Sequence, residues 1–312
     1  MKLLTPVRAR KCMIATLLPL TLAFAAPAAL AADGNTSKAE LAKRIGASER
    51  VNYSGKLRML SQRVVATSCN YAAGIDTETS GPAMRAAMAE FELIVDALEH
   101  GNADLGINAE EKRKKTIRRI GMLRDEWAPM SSGLTAIDQG DTSIDQVTHV
   151  ANVSAPLLDM AKLLVSDLSA QYSDPNAMLQ SYAMLVDISG RQRMLTQRMS
   201  KNVCLVSSGV NAEAAKAELA ATANMFETSL FALSSGMSAA GIAPPPNATI
   251  AEGLKVVIGN WQELKPSVDA ILSGAEISDD ERARIFNGMN QMTGNMNTVV
   301  GQYSDASKFD GS

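Results

Sequence analysis

Histidine, cysteine and aromatic residues are all scarce in this chain of 312 residues, which has two His, three Cys and only 4% Phe, Trp and Tyr. So few ligands, with no CxxC or HExxH motif, rule out most zinc, haem and iron–sulfur sites. No resident metal or other cofactor is expected. The shortage of aromatics, beside abundant Ala and 17 Met, favours packed helices over a β-sandwich, which leans on aromatic and β-branched side chains. Basic charge is not in excess either. The 30 Lys and Arg face 33 Asp and Glu at a pI near 5.6, which argues against nucleic acid as a partner. Neither a phosphate-binding loop nor a nucleophile–base arrangement stands out, so the chain reads as a non-enzyme. What it does have is a 46% hydrophobic composition, enough to build a core and to exclude bulk disorder.

Long apolar runs are missing as well, with one exception. Lys2, Arg8, Arg10 and Lys11 precede an apolar stretch from Met13 to about Ala26, and Ala29-Leu30-Ala31 then offers a small-x-small cleavage site. This is the three-part pattern of a secretory signal peptide, so residues 1–31 are expected to be an export signal and the mature chain periplasmic. An uncleaved membrane anchor is the alternative, opposed by Pro19 and Pro27 within the run. Cys12 precedes the apolar stretch and leaves with it.

The remainder is an internal duplication. Ser54-Gly55-Lys56-Leu57-Arg58-Met59-Leu60-Ser61-Gln62-Arg63 returns as Ser189-Gly190-Arg191-Gln192-Arg193-Met194-Leu195-Thr196-Gln197-Arg198, an offset of 135. The same offset pairs Cys69 with Cys204, Gly74 with Gly209, Phe91 with Phe226 and Gly101 with Gly236. Trp127 and Trp261 pair one residue closer, and Tyr172-Ser173-Asp174 and Tyr303-Ser304-Asp305 close the copies. The copies therefore span 35–173 and 174–312. Apolar spacing of three and four, with turn signals between, predicts four helices in each. They cover 37–73, 79–100, 109–138 and 143–171, then 175–208, 212–236, 248–273 and 279–306. Asp174-Pro175 is placed as a helix N-cap and first-turn proline. Short loops between such helices give an all-α fold of two tandem up-down four-helix bundles.

The repeated string is the strongest functional signal. On a helix Arg58 and Gln62 share a face, with Ser54 one turn earlier, whereas Arg63 points elsewhere. Gly55 and Gly190 are placed inside helices, where glycine costs about 1 kcal/mol relative to alanine, so their retention suggests close helix approach. An isolated helix arginine is ordinarily solvated or salt-bridged. Here the string is kept in both halves while its surroundings have diverged.

The string resembles the PilJ/NarX-like periplasmic sensor module of type IV pilus chemotaxis transducers and nitrate/nitrite sensor kinases. Those modules are four-helix bundles whose first helix carries a Gly-x-x-Arg-Met segment, and the stretch 189–199 is especially close to the pilus-type version. In the nitrate-sensing branch the arginine before methionine binds the anion at a dimer interface, one from each subunit. The resemblance places that role on Arg58 and Arg193, with Gln62 and Gln197 as amide donors. Ser54, Gly55, Met59 and Arg63, and Ser189, Gly190, Met194 and Arg198, are then motif and helix-contact residues. By the same resemblance the two first helices would pair about a pseudo-two-fold axis, either within one chain or between two chains. Two guanidiniums facing each other at about 7 Å repel by about 2.4 kcal/mol at an effective dielectric near 20, a cost that a small anion between them removes.

That pairing has a corollary. Cys69 follows Arg58, and Cys204 follows Arg193, by nearly three whole helical turns, so facing arginines imply facing cysteines. In an exported protein such a pair is a disulfide candidate, against the alternative of two separate buried thiols. The expected role is thus a sensory or ligand-binding protein for a small anion such as nitrate or nitrite, acting through a membrane-bound signalling or envelope partner. An envelope scaffold is the alternative. The basic run Lys112 to Arg119 reads as a solvated helix face, or less favourably an acidic-partner surface. Met289, Met292 and Met296 read as core rather than a copper(I) site. His100 and His149 are isolated.

Overall fold

The computed structural model describes residues 45–172 and 180–306. The expected signal segment and the Asp174-Pro175 cap lie outside them. The first copy forms α1 (Ala47–Ala72), α2 (Thr77–His100), α3 (Lys114–Asp138), α4 (Ile144–Asn152) and α5 (Ser154–Tyr172). The second forms α6 (Gln180–Ser207), α7 (Ala212–Ser235), α8 (Ala248–Leu272) and α9 (Asp279–Ala306). No strand occurs among the described residues. Two isolated antiparallel bridges, Asn102 with Ile107 and Met237 with Ile242, tie equivalent loops.

Most helix ends fall within three residues of the predicted ones, and the exceptions have local causes. Among the described residues the predicted first helix is interrupted at Gly46, between the helical Ile45 and Ala47, because Gly46 adopts φ 72, where a side chain would run into the Gly106 carbonyl. Helix α3 starts five residues later than expected. Glu111 is buried and its carboxylate accepts from the Lys112 and Arg113 amides, from Gln171 and from the Tyr172 hydroxyl, holding 109–113 out of the helix. The predicted fourth helix of copy 1 is broken at Val153. Pro156 has no N–H for the Asn152 carbonyl and its ring crowds that group.

Each copy closes as a four-helix bundle, α1 with α2, α3 and α5, and α6 with α7, α8 and α9. The most extensive contact in the molecule, however, joins the copies through α1 and α6. From Leu57 to Asn70 every residue except Arg63 is buried, and from Gln192 to Leu205 every residue except Arg198 is buried. A helix surrounded on all sides is normally apolar all round. These two are not, and they compensate locally. Ser54, Ser61, Thr67, Ser68 and Asn70 each bond a carbonyl three or four residues back on α1, and Ser189 and Thr196 do the same on α6. One continuous apolar core then runs through both copies, including Phe91 stacked on Trp127 at 4.1 Å and Phe226 edge-on to Trp261 at 5.3 Å. Both indole N–H groups donate to equivalent carboxylates, Glu92 and Glu227.

The copies are related by a pseudo-two-fold axis along the α1–α6 seam. Asn287 donates to Asp76 at 2.8 Å, and Asn211 donates to Asn152 at 2.9 Å. Position 76 corresponds to 211 and 152 to 287, so the loop after the first helix of each copy holds the fourth-helix region of the other. Cys69 and Cys204 are joined by a disulfide across the seam, with Cα atoms 6.1 Å apart. Equivalent residues therefore lie opposite one another, and α1 and α6 run parallel.

Candidate functional site

The parallel seam brings the two copies of the repeated string together. Arg58 and Arg193 are both buried, 8% and 3% exposed. A Cβ placed on Gly55 would meet Arg58 Nη2 at 3.6 Å and Arg193 Nη2 at 3.9 Å; one on Gly190 would meet Arg193 Nη2 at 3.7 Å and Arg58 Nη2 at 3.9 Å. Nothing else comes within 4 Å of either position. The glycines thus open methyl-sized spaces beneath a side-by-side pair of guanidiniums, and the atoms facing them are arginine nitrogens rather than the backbone of the partner helix.

The charges are incompletely satisfied. Arg58 reaches across to Asp187 Oδ1 at 3.3 Å from both Nη1 and Nη2. Arg193 Nη1 donates to Asn297 Oδ1 at 2.7 Å. The Nε atoms of both arginines are buried without a partner. Burial pushes the Arg58 guanidinium below its ordinary range, with Asp187 opposing and Arg191 adding to the shift. Burial and then the neighbouring Arg58 push Arg193 down to about 10, against a weaker pull from Glu90. Two adjacent buried guanidiniums with spare N–H donors form a donor set suited to an oxyanion.

The other residues of the string are distributed around this pair. Gln62 donates to Ser154 on α5 at 3.4 Å, and Gln197 donates to Asn290 and Thr293 on α9 at 3.2 and 2.8 Å. Both amide donors therefore engage the fourth helix of their own bundle, and both Oε1 atoms are buried without a partner. Met59 and Met194 are core residues, and Ser54 and Ser189 donate to the Val51 and Val186 carbonyls of their own helices. Arg198 Nε pairs with Glu218 at 2.7 Å, alongside Lys201 at 2.9 Å, whereas Arg63 lies in the field of Glu90.

Asp187, Asn297, Ser154, Asn290 and Thr293 were not legible as site residues. Asp187 and Arg58 are 129 positions apart, and the repeat comparison passes over Asp187 because copy 1 has Asn52 there. The remaining features are unrelated to the pair. A separate open cleft of about 720 Å³ lies between α2 and α3, lined by Glu92, Asp96, Arg124 and Trp127 among others. His100 is exposed near Asp96 and Glu99, and His149 contacts the Pro129 carbonyl at 3.3 Å. Among the described residues no group of three or more His, Cys, Asp or Glu could hold a metal ion, and no helix is long and apolar enough to cross a membrane.

A search of curated proteins finds no match. A family model described as the type IV pili methyl-accepting chemotaxis transducer N-terminal region matches residues 40–152 and, separately, residues 176–283. The two matches fall on the two copies, each taking in its arginine string, and together cover well over half of the chain. With the paired bundles and the duplicated motif on the first helix of each, they establish that the chain belongs to the PilJ family of type IV pilus chemotaxis transducer N-terminal domains, in two tandem copies.

Proposed function

We propose that this protein is an exported, periplasmic sensory or ligand-binding module that takes a small planar oxyanion, of the nitrate or nitrite kind, between Arg58 and Arg193. The observation that carries the proposal is the apposition of two buried guanidiniums from equivalent positions, each with a free Nε and both facing the space left by Gly55 and Gly190. One chain thereby reproduces the two-fold arrangement that a pair of identical subunits would otherwise supply. Binding relieves repulsion between the arginines and supplies acceptors for their spare donors. The disulfide pins α1 to α6 about 16 Å from the arginines, so changes in the seam are confined to the arginine end. The response passes to a membrane-bound signalling or envelope partner that reads this end of the bundle. The role is binding rather than catalysis.

A second reading, an envelope scaffold, draws on the bonds of Arg58 to Asp187 and of Arg193 to Asn297, which give both arginines an internal partner. A thermal-shift panel of nitrate, nitrite, sulfate and chloride separates the two. A ligand held at 100 times its Kd adds about 2.7 kcal/mol to stability. We expect a concentration-dependent rise in Tm that disappears in Arg58→Ala and in Arg193→Ala. No rise with any anion, or a rise that survives both substitutions, overturns the anion reading.

A further inference from the structure

The arginine pair is close to symmetric, but its counter-charge is not. Asp187 has no carboxylate equivalent in the first copy, where Asn52 stands. Its Oδ1 faces both terminal nitrogens of Arg58 at 3.3 Å, longer than a strong charge-assisted bond, while Oδ2 is held at 2.5 Å by the exposed Arg191. Among the described residues Arg193 has no carboxylate at ion-pairing distance. Its one polar partner is the neutral Asn297. The nearby Glu90 is paired with Lys56. The seam therefore holds two buried positive charges, beside one half-buried carboxylate that reaches in from the side and is shared with the exposed, solvent-screened Arg191.

We propose that Asp187 is a specificity-determining residue of this site, a built-in carboxylate that competes for Arg58 and selects monoanions over dianions. The inference rests on the anion-binding reading above. With Asp187 in place, a single negative charge on the ligand balances Arg193. A second negative charge would face the Asp187 carboxylate in a partly desolvated seam, where like charges repel more strongly than in water. The ligand class is therefore a singly charged, small oxyanion. Arg193 is its main anchor and Arg58 is shared between ligand and carboxylate.

The test is calorimetric titration of the full, disulfide-bonded protein with sodium nitrate and sodium sulfate at constant ionic strength. Wild type should bind nitrate more tightly than sulfate. Asp187→Asn, which installs the residue found at position 52, should tighten sulfate at least tenfold and nitrate by clearly less. Asn52→Asp, the converse change at an exposed position, should weaken nitrate at least tenfold. Asp145→Asn makes the same change in net charge at an exposed position on α4 and should leave the nitrate-to-sulfate ratio within twofold of wild type. Binding that depends on Arg193 but keeps that ratio in Asp187→Asn overturns the role of Asp187 and leaves the site standing. An equal shift in Asp145→Asn overturns it as well. Absence of heat with either anion in wild type and Asp187→Asn alike overturns the role together with the site. Binding that emerges only in Asp187→Asn supports the competition.

Discussion

Replacing Gly55 and Gly190 by alanine together should make the ligand-free protein more stable and less responsive to anions. Glycine within a helix costs about 0.8–1.0 kcal/mol relative to alanine. The added Cβ atoms would sit 3.6 to 3.9 Å from arginine nitrogens, which is ordinary van der Waals contact, and would meet nothing else within 4 Å. No steric penalty therefore offsets the helical gain, and the double variant should gain roughly 1.5–2 kcal/mol. For a body of this size that raises Tm by about 3–8 °C. The same two methyl groups fill the space beneath the guanidiniums, so the anion-dependent rise in Tm should be lost. The assay is thermal unfolding followed by circular dichroism, with and without nitrate, for wild type, each single variant and the double variant. A fall in Tm without anion would show that the glycines serve helix approach rather than the guanidinium space. An undiminished anion response in the stabilised double variant would place the ligand elsewhere.

Two further perturbations probe the scaffold. The Cys69–Cys204 bridge spans 135 residues, for which the chain-entropy relation gives about 5 kcal/mol. Cys69→Ala with Cys204→Ala should approach that loss in urea unfolding, and a change under about 1 kcal/mol would contradict the bridge as a structural constraint. Burial disfavours the charged form of Glu218, but Lys201 and Arg198 outweigh it and hold its carboxyl at about 2 against an ordinary 4.5. A depressed folded-state value means that the folded protein binds fewer protons than the unfolded chain between those limits. This contribution is therefore complete above about pH 4.5 and is lost as the pH falls toward 2. After a discount for partial exposure it amounts to roughly 2 kcal/mol. Glu218→Gln should lower stability by about that amount at pH 7, and the gap to wild type should narrow steadily on acidification. A gap independent of pH would refute the ion-pair account.

The duplication and the helical content were legible because they are local or periodic. The string at 54–63 and 189–198 announced the repeat, and the positions of Gly74, Gly101, Gly209, Gly236 and Gly274 marked helix ends, where all five adopt positive φ. Apolar periodicity located the outer helices, since each has one face to the core, but not the late start of α3 or the break at Val153. It said nothing of how completely α1 and α6 are buried, because these are enclosed on all sides yet rich in Ser, Thr, Asn and Gln. Their polarity is tolerated through side-chain bonds to their own backbone, which no hydropathy pattern records.

The sequence by itself determined the all-helical class, two copies of a four-helix unit, and the residues kept in both. These follow from spacing and self-similarity, which operate over a few turns of chain. Only the tertiary structure decided what stands around the arginine pair. It put Asp187 against Arg58 and Asn297 against Arg193, and turned Gln62 and Gln197 toward the fourth helices. It also showed that Gly55 and Gly190 face guanidinium nitrogens. These contacts join residues from about ninety to over a hundred positions apart, and most involve positions at which the two copies differ. Side-chain partners across a helix seam are set by the packing of whole helices, so they emerge only once both bundles have closed.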